Sequence, residues 1–139
     1  MAKVVAKFHK VSYEQFKKDF FDCFNKNVII TDFGIVLDES GFETGVRKIY
    51  DSIKLPKRGT VGSAGYDFFA PVKIKIAPGQ TVKIPTGIRC RIDNDWVLKC
   101  YPRSGLGFKY RMQLNNTVGI IDSDYFGADN EGHIMAKIT

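Results

Sequence analysis

Four short segments in the second half of the chain limit its fold most. Val72-Lys73-Ile74-Lys75-Ile76 alternates strictly between apolar and charged residues. Val82-Lys83-Ile84 and Ile88-Arg89-Cys90-Arg91-Ile92 alternate in the same way, and Trp96-Val97-Leu98-Lys99-Cys100-Tyr101 follows. A period of two puts every apolar residue on one face of a strand, so each segment has a dry side and a wet side. Pro78-Gly79 and Asp93-Asn94-Asp95 supply turns between them. Short strands at this spacing predict an all-β barrel or sandwich for this part of the chain.

The first part has a different texture. Residues 2–8 alternate loosely and predict an edge strand. Ser12-Tyr13-Glu14-Gln15 reads as a capping box, in which the Ser12 hydroxyl and the Gln15 amide satisfy orphan backbone donors. Val11 and Phe16 are spaced for a hydrophobic staple. Tyr13, Phe16, Phe20 and Phe24 recur at helical spacing, with Lys17, Lys18, Asp19 and Asp22 expected toward water. This helix is expected to end near Asn25-Lys26-Asn27. Val28-Ile29-Ile30-Thr31 predicts a short buried strand, and Val46, Ile49, Tyr50 and Ile53 predict a second, shorter helix. Pro56 and Gly59 close the helical part. The expected organisation is one domain over 1–139, with an N-terminal helical extension over 1–54 and a β core over 55–139.

Several classes of function lose support at this point. Net charge is +6, but it is spread evenly, with no basic tail or block, so nucleic-acid binding is not expected. No apolar run approaches the ~18 residues of a membrane span. The N-terminus lacks the apolar stretch of a signal peptide, so a cytoplasmic setting is expected. Cys23, Cys90 and Cys100 form no C-x-x-C pair and are expected to be reduced and mostly buried. His9 and His133 have no cysteine or acidic partners at metal-ligand spacing, so no zinc site is expected.

Three segments carry chemistry. Gly62-Ser63-Ala64-Gly65-Tyr66-Asp67 permits tight turning before a strand-entry aspartate, and a plain turn accounts for it equally well. Pro102-Arg103-Ser104-Gly105-Leu106-Gly107 offers a guanidinium fork, a hydroxyl and exposed N–H groups that can cradle an anion as a nest. A phosphate site and a structural turn fit these residues equally. It is neither a Walker A loop nor a dinucleotide fingerprint. Asn116-Thr117-Val118-Gly119-Ile120-Ile121-Asp122-Ser123-Asp124-Tyr125-Phe126-Gly127 places an aspartate within strand-forming residues, and predicts a β-hairpin arm that holds the Asp122 carboxylate in place.

Taken in order, these three runs resemble the motifs of the trimeric dUTPases over roughly residues 55–139. The resemblance implies a distorted jelly-roll β-barrel of the β-clip kind. It implies hydrolysis of dUTP to dUMP and pyrophosphate with Mg²⁺, in a homotrimer whose active sites are shared between subunits. Asp122 would activate the attacking water and hold the deoxyribose 3′-hydroxyl. Tyr125 would lie under the sugar and exclude a 2′-hydroxyl. Asn116, with the backbone at Gly119, Ile120, Ile121 and Met135, would form the uracil pocket. Arg103, Ser104 and Gly105 would bind phosphate from a neighbouring subunit. No protein side chain is expected to ligate the metal directly; substrate phosphates and water would hold it, with Asp67 beside its water shell.

The sequence departs from the family pattern in four places. Residues 1–54 are longer than the minimal enzyme needs. Asn115 stands where glycine is common, and its tolerance of left-handed backbone is expected to preserve the turn. Ala128-Asp129-Asn130-Glu131 lengthens the loop after the third motif. The fourth motif and the glycine-rich fifth motif do not follow Thr139, so a longer natural chain is expected, and residues 1–139 alone are expected to fold weakly and hydrolyse little. Two other readings remain: a non-catalytic nucleotide-sensing or protein-interaction module of the same fold, and, with less support, a dCTP deaminase relative.

Overall fold

The computed structural model describes residues 3–24 and 42–139. The expected strand over 28–31 lies outside them. Strand β1 (Ala6–Lys10) leads through Ser12 into helix α1 (Tyr13–Cys23). Helix α2 (Phe42–Ser52) follows, then β2 (Val82–Pro85), β3 (Ile88–Ile92) and β4 (Leu98–Cys100). Helix α3 (Ser104–Tyr110), β5 (Gly119–Ile121), a 3₁₀ turn (Ser123–Gly127) and β6 (Met135–Ile138) complete the order.

Among the described residues, six strands form three antiparallel two-stranded ladders: β1 with β3, β2 with β6, and β4 with β5. In the first, Ala6 faces Ile92 and Lys10 faces Ile88, so the N-terminal strand is bonded into the β region. Residues 72–76 are a correction. Their burial alternates as expected, with Val72 buried and Lys73 and Lys75 exposed, but they join no ladder among the described residues. Alternation fixes which way side chains face; a strand also needs a neighbour to accept its backbone hydrogen bonds.

One apolar cluster joins the two textures. Val11, Phe16 and Phe20 from the start of the chain and Val46, Ile49 and Ile53 from the α2 region pack with Ile88, Cys90, Ile92 and Ile134. Phe16 and Phe20 are 0% exposed, and their rings lie 5.5 Å apart. The aromatic stripe is therefore core. Gly87 is pinned within it, at φ +76, where a Cβ would meet Ile53 Cδ1 at 2.4 Å. Its carbonyl accepts the Val11 N–H at 3.0 Å.

The helix start is half as expected. Ser12 Oγ accepts from Gln15 N at 3.2 Å, the ordinary N-cap bond. The Gln15 amide does not reach back. It donates to Asp19 at 2.9 Å, and Glu131 takes its place, accepting from Ser12 N at 2.8 Å and from Ser12 Oγ at 2.5 Å. Asp19 is a second correction. It does not point to water but meets the fully buried His133, with Oδ2 2.6 Å from Nδ1. All three cysteines are free: Cys90 is buried, and Cys23 and Cys100 are half-buried. Burial pushes the Cys23 thiol up to about 11, which keeps it protonated and inert.

Candidate active site

The third motif is not a hairpin arm. Its strand, β5, pairs with the upstream β4, in the register Leu98–Ile121, Lys99–Ile120 and Cys100–Gly119. The chain then breaks into the 3₁₀ turn instead of returning as a second strand. Asp122 caps that turn in extended conformation (φ −81, ψ 161), and its side chain makes no capping bond. Its backbone carbonyl accepts the Tyr125 N–H at 3.2 Å. The carboxylate is exposed at the junction of a strand and a turn, so the backbone fixes its origin and solvent surrounds its head.

Gly119 is buried because β4 comes close: a Cβ there would meet Cys100 Cβ at 2.9 Å. That approach leaves Ile120 half exposed on the outer side of the ladder. Asn116 is exposed in the turn before β5, and its carbonyl accepts the Val118 N–H at 2.7 Å. The left-handed residue of this turn is Thr117 (φ 68), not Asn115. Asn115 instead ties the turn to the end of the chain. Its N–H donates to Lys137 O at 2.9 Å, and its Oδ1 accepts from Thr139 Oγ1 at 2.8 Å. Met135 opens β6 opposite Pro85.

The second motif starts a helix and does not form a loop nest. Arg103 is the N-cap of α3, without a side-chain cap bond, and its carbonyl accepts from Leu106 N and Gly107 N. The exposed Ser104 and Gly105 fill the first turn, where backbone N–H groups lack intrahelical partners. The seven-residue helix ends at the left-handed Arg111 (φ 51). Arg103 Nε lies 3.7 Å from Asp67 Oδ1, joining the first motif to the second. Asp67 also bridges to Lys57 through a pair of backbone bonds.

These residues fall into two groups at opposite ends of one ladder. Cys100 faces Gly119, so Arg103, Ser104 and Gly105 lie beyond the end where β5 begins. Leu98 faces Ile121, so Asp122 lies beyond the other end. The paired segment between them is three residues on each strand. Asp67, Arg103, Asn116, Gly119 and Met135 border a wide open trough of about 2610 Å³, whereas Asp122, Ser104 and Tyr125 do not line it. A trough well above the ~300–1,000 Å³ of a small-molecule pocket is an open face, not a closed site.

Tyr125 is the best-anchored member. Its ring packs against the core, its hydroxyl donates to His133 O at 2.7 Å, and it accepts from Asn130 Nδ2 at 2.9 Å. His133 Nε2 accepts the Gly87 N–H at 2.8 Å, which assigns the proton to Nδ1 and its bond to Asp19. Burial lowers the His133 pKa, against the raising effect of Asp19, and keeps the ring neutral. Desolvation pushes Glu131 up, but its two bonds from Ser12 outweigh it and hold the carboxyl below its ordinary value. No motif marks Asn130, Glu131 or His133. The lone histidine after Asn-Glu-Gly was the one visible sign, and its partner lies 114 residues away.

Among the described residues no group of three or more His, Cys, Asp or Glu side chains could hold a metal ion. No described helix is long and apolar enough to cross a membrane.

Comparison with known proteins bears on the family. A family model described as dUTPase matches residues 51–135, more than half of the chain. A deoxyuridine 5′-triphosphate nucleotidohydrolase of Lactococcus lactis is 40% identical over 99 residues, 70% of this chain and 66% of that protein. One from Polynucleobacter necessarius is 49% identical over 77 residues, 53% of this chain and 52% of its own length. The chain thus spans between about half and two thirds of these relatives. The crystal structure of a dUTPase from Streptococcus mutans superimposes with a TM-score of 0.55 at 40% identity, over 60% of this chain and 66% of that one. The mainly-β fold is that of a dUTPase, and the chain belongs to the dUTPase family.

Proposed function

We propose that this chain supplies the base-recognition and water-activating half of a dUTP diphosphatase site. The reaction is attack of water on the α-phosphorus of dUTP, giving dUMP and pyrophosphate. Asp122 takes a proton from that water and orients it in line, and it also holds the 3′-hydroxyl. Asn116 and the backbone at Gly119, Ile120, Ile121 and Met135 read the uracil edge. Backbone N–H and C=O groups in fixed positions suit that task, because they can match one base and leave a mismatched one with unpaired groups. Tyr125 closes the sugar face against a 2′-hydroxyl.

The observation that carries this reading is the Asp122 carboxylate, exposed at the end of β5 with no capping bond. Asp122 and the Arg103–Gly105 segment stand at opposite ends of β4 and β5. Arg103, Ser104 and Gly105 serve the Asp122 of a neighbouring copy, in a homotrimer with shared sites, and stabilise the charge of the departing pyrophosphate. Mg²⁺, held by substrate phosphates and water, would neutralise phosphate charge. Asp67, already beside Arg103, adds a carboxylate near that water shell. The cytoplasm is the proposed setting.

The test is incubation of the complete natural protein with dUTP, dCTP, dTTP and UTP, each with Mg²⁺. Pyrophosphate release from dUTP alone is expected. Equal hydrolysis of UTP, or none of dUTP, would sink the proposal. Tight dUTP binding without pyrophosphate release would indicate a nucleotide-sensing module, and ammonia release from dCTP a deaminase.

A further inference from the structure

We propose that helix α1 is a splint for Tyr125, and that Asp19 is a positioning residue acting on the ring through His133. The inference rests on the reading of Tyr125 as the sugar-facing ring.

The Tyr125 hydroxyl is held from two sides, by His133 O at 2.7 Å and Asn130 Nδ2 at 2.9 Å. Both partners belong to the loop that follows the motif. The ring packs on the core, and its hydroxyl is only as fixed as that loop. Glu131 is the strained position of that loop, and Gly132 is tightly packed. Glu131 and Gly132 are both left-handed (φ 61 and 69), and a Cβ on Gly132 would meet Tyr125 O at 2.5 Å. A non-glycine residue in that region persists only when its surroundings hold it.

Helix α1 does the holding at two points. Ser12 grips the Glu131 carboxylate through its N–H and its hydroxyl. Asp19 grips the His133 ring, whose other nitrogen is occupied by Gly87 N–H. Ser12 and Asp19 are seven residues apart, so they share a helix face, roughly 10 Å apart along the axis. The Phe16 ring lies between them in sequence and 6.3 Å from the His133 ring. The loop thus lies along the helix and is clamped at both ends. Because His133 is 0% exposed, its ring cannot turn without leaving a donor or acceptor unpaired. Its backbone carbonyl, which Tyr125 uses, is steadied by that buried ring together with the adjoining Ile134 N–H, which donates to Ile88 O at 2.9 Å.

The chemical consequence is discrimination. Excluding one hydroxyl by contact requires the ring to stay put, and displacement of a positioning group by about 1 Å can cost up to ~100-fold. Asp19 lies 114 residues from the histidine through which it acts.

The experiment uses the complete protein with Asp19→Ala and Asp19→Asn. Hydrolysis of dUTP by the unaltered protein is measured first, and its absence would remove the functional reading alone. Asp19→Ala is expected to lower the kcat/KM preference for dUTP over UTP about tenfold, with kcat on dUTP within about threefold of the parent. Asp19→Asn, which retains an acceptor for Nδ1–H, should restore most of the preference. An unchanged preference in Asp19→Ala, with only its melting temperature lowered, would overturn the proposal. Carbon-13 tyrosine spectra give a readout that needs no activity. The Tyr125 ring signal should move in Asp19→Ala and return in Asp19→Asn; an unmoved signal would overturn it too. If Asp19→Ala does not fold, Ser12→Ala, which removes one Glu131 bond at an exposed position, is read by the same two measurements.

Discussion

Two aspartates in two regions have opposite surroundings. Asp19 lies on helix α1, with a side chain only 14% exposed, in contact with a buried imidazole and a glutamine amide. Asp122 lies at the end of β5, exposed and without a side-chain capping bond. The α1 region fixes its polar groups by satisfying them. The β4–β5 region fixes only the backbone, and leaves its carboxylate, hydroxyl and guanidinium groups open to solvent. Groups already satisfied by the fold contribute to shape; groups left free can meet a substrate. The comparison therefore separates residues whose loss is felt in stability from those whose loss is felt in turnover.

The largest effect is expected at Asp122. Asp122→Asn should slow dUTP hydrolysis by roughly 10²–10⁴-fold, the usual contribution of a general base, with the melting temperature unchanged. A fall in melting temperature instead would place Asp122 with the structural group. Next is Phe16→Ala, which should cost about 3–5 kcal/mol in denaturant unfolding, because it empties a fully buried position beside Phe20 and His133. Gly132→Ala should cost about 1–3 kcal/mol, from a left-handed backbone and a contact with Tyr125 O. A cost below that, by thermal unfolding, would mean the loop relaxes easily and the splint is loose.

Acid should separate the regions further. His133 has its pKa lowered by burial in the folded state, so the unfolded chain binds its proton first as pH falls. Its contribution is complete above the unfolded imidazole value of about 6.5 and is lost below it. Glu131 is held low, so its contribution is complete above its unfolded value and is lost as pH falls through the folded one. Stability should therefore fall in two stages, the His133 stage first, and His133→Gln should remove that first stage in urea titrations at each pH. The smallest effect is expected for Arg103→Ala. Its pair with Asp67 is exposed, so stability should change by less than ~1 kcal/mol, while turnover falls if Arg103 serves a neighbour's phosphate site. Mixing Arg103→Ala with Asp122→Asn protein and measuring recovered activity in mixed oligomers would sharpen the shared-site reading.

What the sequence made legible was local. Ser12 as an N-cap, the Phe16–Phe20 stripe and the alternation of Ile88–Ile92 depend on neighbours within a few residues, and each is found where spacing placed it. What escaped was long-range or decided by competition. Asp19 reads as one more charged residue on a wet face because its partner is 114 residues distant. Gln15 reads as the return half of a capping box, but a carboxylate from Glu131 makes two bonds to Ser12 and displaces it. The segment 72–76 has the pattern of a strand, and pattern cannot supply a partner. The β-branched run before Asp122 reads as a hairpin arm, yet its three-residue strand pairs backward to β4, and the polar Asp-Ser-Asp that follows tightens into a 3₁₀ turn. The family motifs located the candidate residues; the register of β4 and β5 separated them into two groups.

The bond between Ser12 and Glu131 spans 119 residues, and this sets a delay during biosynthesis. At about 5–20 residues per second, the ribosome makes Glu131 roughly 6–24 s after Ser12. During that interval α1 exists without its mate, with the Ser12 and Asp19 face bare and the Phe16 edge that will meet His133 uncovered. Until then only α2 and the strands already made can cover α1, so an emerging chain would present the face that meets His133 to whatever chaperone attends it.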